Sequence, residues 1–173
     1  MGDRLQADLA QAASPNAIPG LHEALKARMA AIVAGFDGLS TKTGKRAPSI
    51  IDGWLPPKAG SDAEDYPFIL VRPSSGLDTE ESAEQHAEAK FKIIIGTYSD
   101  TDDGWIDLML IVDAIRFDLG AAPVLQGTGF EQVGPLTWEI PEEQPRPEWL
   151  ATVTTNWILP RPRRVDARNP MEE

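Results

Sequence analysis

The chain has 173 residues, a formal net charge of −11 and no cysteine. Its length predicts one domain with short extensions, and the lack of cysteine excludes disulfides, thiolate metal sites and thiol nucleophiles. The acidic balance disfavours adhesion to the phosphate backbone of nucleic acids. The first residues lack a signal-peptide pattern, and no apolar run approaches the ~20 residues of a membrane helix. We therefore expect a soluble protein.

The N-terminal part predicts one helix and a preceding arm. Residues 1–19 contain Leu5 and Leu9 at helical spacing, but Ser-Pro and Pro-Gly pairs interrupt any continuation. We expect this arm, or short helix, either to fray or to become ordered against a neighbour. From Leu21 apolar residues recur at helical spacing, which predicts the first helix of the domain, ending near Gly35.

Residues 37–49 have no apolar period and predict a mobile surface loop. Lys42, Lys45 and Arg46 make it the densest basic segment before the C-terminus. Its Gly-Lys-Arg sequence does not fit a phosphate-binding loop, because Arg46 stands where a hydroxyl must reach magnesium. The loop is either a solvated surface or a partner contact.

Apolar alternation predicts the strands. In residues 66–71 both alternating sets are apolar, so both faces of that strand should be covered. Residues 87–95 alternate apolar with polar side chains and should pair with 67–72 as an antiparallel hairpin, with a bend at Gly96. A shorter strand is predicted at 50–55, and a second hairpin at 135–159.

The second helix is predicted to follow an acidic turn. Asp102 or Asp103 is a suitable N-cap, and Gly120 a suitable end. Its wide apolar stripe predicts a helix that lies flat on the sheet, with part of its far side also covered. The residues expected to face the core are Trp105, Leu108, Val112, Ile115 and Leu119.

The order of helix, strand pair, helix and strand pair predicts an α+β fold. Residues 20–160 should form one domain: a mostly antiparallel sheet of four or five strands with two helices packed on one face. Residues 161–173 should be an extended, flexible tail rich in arginine and proline.

No catalytic, cofactor-binding or metal-binding motif emerges. The acidic turn 100–107 fails the EF-hand pattern, because Leu110 occupies the position that requires glutamate. His22 and His86 belong to no metal or triad motif. We therefore expect no enzyme, although a metal-dependent small-molecule enzyme using this turn remains an alternative. Of the five tryptophans, Trp149 is expected near the surface, at a protein interface.

The segment order resembles that of a known protein family. A helix precedes PFILVRP, which is followed by FKIIIGTYSDTDDGWIDLMLIVDAIRFDL and a final strand containing tryptophan. Over residues 20–160 this pattern is similar to the tail terminator (tail completion) proteins of long-tailed bacteriophages and prophages. The resemblance implies a structural virion protein without cofactor, made in the bacterial host cytoplasm, that forms a ring, usually a hexamer, on the tail.

Such a ring would stop growth of the tail tube and join it to the head connector, with DNA passing through the lumen without specific binding. Another head–tail joining or minor tail component is the alternative. The arginine-rich C-terminus departs from the family pattern. The expected intersubunit or partner contacts are Lys42, Lys45, Arg46, Trp149, Arg161, Arg163 and Arg164.

Overall fold

The computed structural model describes residues 16–41, 44–54, 66–78 and 86–160. The predicted arm up to residue 15 and the tail from residue 161 lie outside these ranges. The described elements, in chain order, are α1 (Ala17–Val33), β1 (Leu39–Ser40), β2 (Lys45–Arg46), β3 (Ser49–Asp52), β4 (Phe68–Asp78), β5 (His86–Tyr98), α2 (Gly104–Ala121), β6 (Glu131–Glu139) and β7 (Glu148–Pro160).

Five strands form one mixed sheet in the order β3-β4-β5-β7-β6. β3 runs parallel to β4, and the other neighbours are antiparallel. The predicted α+β fold with a mostly antiparallel sheet is confirmed, as are the hairpins β4–β5 and β6–β7. Strands β1 and β2 form a separate two-stranded hairpin.

Both helices pack on the same face of the sheet. The apolar spacing of α1 buries Leu21, Leu25 and Met29, and the alternation of β5 buries Phe91 and Ile93 in the same core. An ion pair fastens the helices to each other, with Arg28 Nε 2.5 Å from Asp118 Oδ1. The prediction of two helices covering one face is therefore confirmed.

The opposite face of the sheet carries a smaller apolar cluster of Tyr66, Phe68 and Leu70. The prediction that both faces of this strand are covered is confirmed. The predicted bend at Gly96 is wrong, since β5 continues to Tyr98. Glycine is needed for a different reason: a Cβ at Gly96 would lie 2.3 Å from Cε1 of Phe68.

Strand structure extends beyond the predicted strands in two places. In the predicted loop 37–49, Leu39 and Ser40 pair with Arg46 and Lys45, and the Leu39 side chain is buried in the main core. β4 runs through Pro73 to Asp78, with a register shift just after the proline. A proline is tolerated at such an irregularity because the ladder hydrogen bond is already interrupted.

The start of α2 differs from the prediction in two respects. Asp103 occupies the N-cap position, but its side chain makes no capping hydrogen bond, and Asp102 instead pairs with Arg146. Trp105 was expected in the core, yet 49% of its surface is exposed. The indole of Trp149 lies against this end of the helix, and a Cβ at Gly104 would be 2.2 Å from its Nε1.

Candidate interaction surface

The outer face of α2 carries large apolar side chains that nothing in the described structure covers. Ile106, Leu110 and Phe117 are 42%, 53% and 75% exposed. At about 100° per residue they share one narrow stripe, and the buried side chains of α2 lie on the opposite side of the helix: Leu108, Ile111, Val112, Ile115 and Leu119. A helix that is apolar on both sides is usually covered on both sides. We call Ile106, Leu110 and Phe117 the outer stripe.

A groove between the C-terminal half of α2 and β6 adjoins the outer stripe. Its volume is about 410 Å³, and Phe117 belongs to both features. Gln132 presents an Oε1 atom that is buried without a hydrogen-bond partner in the described structure. The apolar surface therefore extends from α2 toward the edge of the sheet. The groove is lined by Arg116, Phe117, Gly120, Ala121, Gln132 and Leu136.

The edge strand β6 adds a further exposed aromatic residue on the same side. Trp138 is directly opposite Val153 of β7, whose side chain lies in the core beneath the helices. Directly paired residues project from the same face of a sheet, so Trp138 projects toward the helical layer, where 44% of its surface remains exposed. Tryptophan and phenylalanine on exposed surfaces are the residue types that anchor protein interfaces.

The predicted basic contacts are only partly visible. Lys45 is exposed and Arg46 half-buried on β2, whereas Lys42 lies outside the described residues, as do Arg161, Arg163 and Arg164. Burial raises the pKa of Asp107 in the first turn of α2, and the positive charge of Lys45 opposes that rise. Lys45 of the β1–β2 hairpin is therefore near enough to the first turn of α2 to act on it electrostatically.

Asp107 provides a prediction about pH. Because the pKa of Asp107 is higher in the folded than in the unfolded state, folding is most favourable when this carboxyl is protonated. The free energy of unfolding should therefore fall as the pH rises from about 3.8 through the raised pKa. Asp107→Asn should therefore raise the melting temperature at pH 7 and give no advantage at pH 3. The gain should be modest, since the helix dipole favours a negative charge in the first turn.

Thermal unfolding followed by circular dichroism at the two pH values tests this expectation. Asp113→Asn is the matched control, because the Asp113 carboxylate accepts a hydrogen bond from exposed Arg116 in the same helix. That variant should not gain stability at neutral pH. If Asp107→Asn melted at a lower temperature than the native protein at pH 7, burial of the Asp107 carboxylate would not destabilise the folded state, and the prediction would be wrong.

Trp149 is not at the surface, and that prediction is wrong. Its side chain belongs to the core and is 6% exposed. Its Nε1 donates a hydrogen bond to the carbonyl oxygen of Ser99 at 3.2 Å, and the Arg146 guanidinium lies 5.2 Å from the ring centroid. Trp149 therefore ties the start of β7 to the turn before α2.

The acidic turn is engaged in local contacts. The hydroxyl of Tyr98 donates to Asp100 at 3.2 Å, Asp102 is paired with Arg146, and Asp103 begins α2. Within the described ranges, the residues spaced closely enough to hold a metal ion lie elsewhere: His22, Glu23 and Asp52 have candidate ligand atoms within 4.8 Å of one another.

This second cluster already contains a positive charge. Lys26 Nζ lies 3.1 Å from Glu23 and 2.5 Å from Asp52, and its hydrogen bond lowers the pKa of Asp52. The two nitrogens of His22 face different groups: Nδ1 lies 3.8 Å from Glu23 Oε1, and Nε2 lies 2.9 Å from the carbonyl oxygen of Val71. The ammonium group of Lys26 thus neutralises the carboxylates that a metal would need. The cluster was not predicted from the sequence, because only the tertiary fold brings Asp52 of β3 next to His22 and Glu23 of α1.

No protein family and no curated protein matches the chain. In the described part of the chain, neither helix combines the length and the apolar character needed to cross a membrane. The outer stripe and the groove beside it are the surface features that bear on function.

Proposed function

We propose that the chain is a structural subunit that assembles into a ring of copies and acts as the tail terminator of a long-tailed bacteriophage or prophage. The observation that carries the proposal is the outer stripe of α2. Burial of an exposed leucine or phenylalanine contributes about 1.5–3 kcal/mol per side chain. Three such residues on one helix face, with Phe117 three-quarters exposed, favour a surface that is covered in the assembled protein.

Two faces of the subunit differ in chemistry, as a ring of identical copies requires. The outer stripe lies on one flank of the molecule, and on the opposite face of the sheet β5 presents Lys90 and Lys92 between buried positions. Two different surfaces meeting between neighbouring copies make a head-to-tail contact, and such contacts close into rings when the rotation between copies allows it. The resemblance of residues 20–160 to the tail terminator pattern at the level of sequence is the second support for this proposal.

In this proposal the ring sits on the head-proximal end of the tail tube, stops addition of tube subunits and binds the head connector. It is a hexamer and part of the virion, and it is made in the bacterial cytoplasm. The net charge of −11 supports passage of DNA through the lumen without specific binding, because like charges repel at short range.

Mutation of the outer stripe tests the assembly. The double variant Leu110→Glu with Phe117→Glu should convert the ring to monomers, because a buried carboxylate without a partner is strongly disfavoured. Light scattering coupled to size exclusion gives the mass, and electron microscopy shows whether rings form. The melting temperature of the isolated domain should not fall, since both side chains are exposed.

The control is Leu77→Glu, which changes another leucine with 59% exposure on a strand away from α2. It should leave the mass unchanged. A native protein that stays monomeric at high concentration, and also in the presence of polymerising tail tube subunits, contradicts the ring.

A second measurement tests the role in the tail. The protein should limit the length of tubes formed by the tail tube subunit encoded beside its own gene, and that gene should neighbour those of a tape measure and a head connector. A ring that binds the head connector without limiting tube length would favour the alternative of another head–tail joining component. Neighbouring metabolic genes would contradict both.

A further inference from the structure

We propose that the outer stripe of α2 is covered by residues 1–15 of a neighbouring copy of the chain. This inference rests on the proposed assembly of copies and names the segment that joins them. It differs from a simple contact between two globular surfaces, because each subunit would contribute an arm to the next one. Three features support it: the place where the arm meets the domain, the length of the arm, and the spacing of its apolar residues.

The arm enters the domain close to the C-terminal end of α2. α1 begins at Ala17, and a Cβ at Gly20 in its first turn would lie 3.8 Å from the ring of Phe130, in the segment that follows α2. Farther along α1, Arg28 pairs with Asp118 in the last turn of α2. Residues that precede Ala17 therefore start near one end of the outer stripe.

The arm has the length and pattern that the outer stripe requires. Leu5, Leu9 and Ala12 follow the i, i+4, i+7 spacing of a helix with one apolar face. As a helix, residues 2–13 would extend ~17 Å at 1.5 Å per residue, and the eleven steps from Ile106 to Phe117 also cover ~17 Å. A small alanine on the same face as the two leucines allows close approach to a bulky ring such as that of Phe117.

A neighbouring copy, rather than the same chain, provides the arm. α1 packs against the flank of α2 that carries Asp118, about 100° around the helix axis from Phe117. To reach the outer stripe, the chain's own arm would have to cross that flank. It would also cover the surface on which assembly depends, whereas an arm passed to the next copy links subunits head to tail.

Cross-linking tests this arrangement directly, because the natural chain has no cysteine. Leu9→Cys and Leu110→Cys are introduced into separate, differently tagged chains, which are co-expressed and treated with a short bismaleimide. We expect a covalent dimer that carries both tags. The pair Leu9→Cys and Leu77→Cys is the control, and it should give at least tenfold less dimer.

A chain with both Leu9→Cys and Leu110→Cys distinguishes exchange from self-contact. Exchange should produce a ladder of covalent oligomers, whereas a single fast-migrating monomer would show that the arm folds back and would overturn the inference. Rings that form without the Leu9–Leu110 cross-link would also overturn it, while leaving the ring assembly intact. A native protein without any oligomer would overturn the proposed function as well.

Deletion of residues 2–13 supplies a second readout. The truncated protein should lose its oligomeric mass while keeping the helical circular dichroism and melting temperature of the domain, since α1 begins at Ala17. Leu5→Asp with Leu9→Asp should have the same effect in a chain of full length. Rings of unchanged stability from either folded variant would contradict the exchanged arm.

Discussion

Gly104→Ala is expected to lower the free energy of unfolding by about 2 kcal/mol, because added volume in a packed site costs roughly 1–3 kcal/mol. The new Cβ would lie 2.2 Å from Nε1 of Trp149 and 2.5 Å from its Cδ1. The indole has little freedom to move, since its Nε1 donates to the carbonyl oxygen of Ser99. The substitution therefore separates α2 from the turn that positions its first residue.

A glycine-to-alanine substitution at another position of α2 separates the effect of the contact with Trp149 from that of helix propensity. Nothing lies within 4 Å of a Cβ at Gly120, also inside α2. Gly120→Ala should raise the free energy of unfolding by up to about 1 kcal/mol, through helix propensity alone. Urea denaturation measures both variants. If Gly104→Ala were as stabilising as Gly120→Ala, the close approach of Trp149 to α2 would be wrong.

Trp157→Ala is expected to cost about 3–5 kcal/mol of unfolding free energy, the usual range for deleting a fully buried tryptophan. Its side chain has no exposed surface, and its Nε1 donates a hydrogen bond to Oγ1 of buried Thr155 at 2.9 Å. The substitution removes the largest fully buried side chain and also leaves the threonine hydroxyl without this donor. Both effects destabilise the domain.

Trp54→Ala removes the same side chain from a solvated position. Trp54 is 74% exposed, and the Arg72 guanidinium lies 4.3 Å from its ring centroid. An exposed contact of this type contributes about 0.5–1 kcal/mol, so this variant should lose no more than that. Denaturant titrations at constant pH compare the two. A similar loss for both variants would show that Trp157 does not anchor the core.

The role of α2 links these stability predictions to the proposed assembly. One side of the helix holds the sheet through Leu108, Ile111 and Ile115, and the other exposes the outer stripe. Mutations on the first side should unfold the subunit, whereas mutations of Leu110 or Phe117 should leave it folded and prevent assembly. The two classes of variant therefore separate the fold from the function.

Local periodicity was a reliable guide to α1 and β5. The spacing of Leu21, Leu25 and Met29 follows the helical repeat, and all three are buried. The alternation that includes Phe91 and Ile93 places them on one face of β5, where both are buried. These patterns determine the fold class, because a side chain's face depends only on the local backbone repeat.

The sequence also showed that α2 is apolar. It did not show which side of the helix packs against the sheet. Trp105 has the spacing of a core residue, yet Trp149, 44 positions later, takes the place against the start of the helix. A helix with large apolar residues on all sides does not specify which side meets the sheet. The sequence therefore indicated that part of the far side of α2 is covered, but it did not identify the residues of the outer stripe.

By itself, the sequence determined the two helices, the hairpins β4–β5 and β6–β7 and the apolar faces of α1 and β5, since these depend on neighbouring residues. The tertiary structure alone decided why Gly96 and Gly104 must be glycines, which tryptophans are buried, and that Lys26 lies between Glu23 and Asp52. The physical reason is the same in each case. A periodic pattern shows which side chains share a face, whereas the groups that meet that face come from distant parts of the chain and are selected by packing.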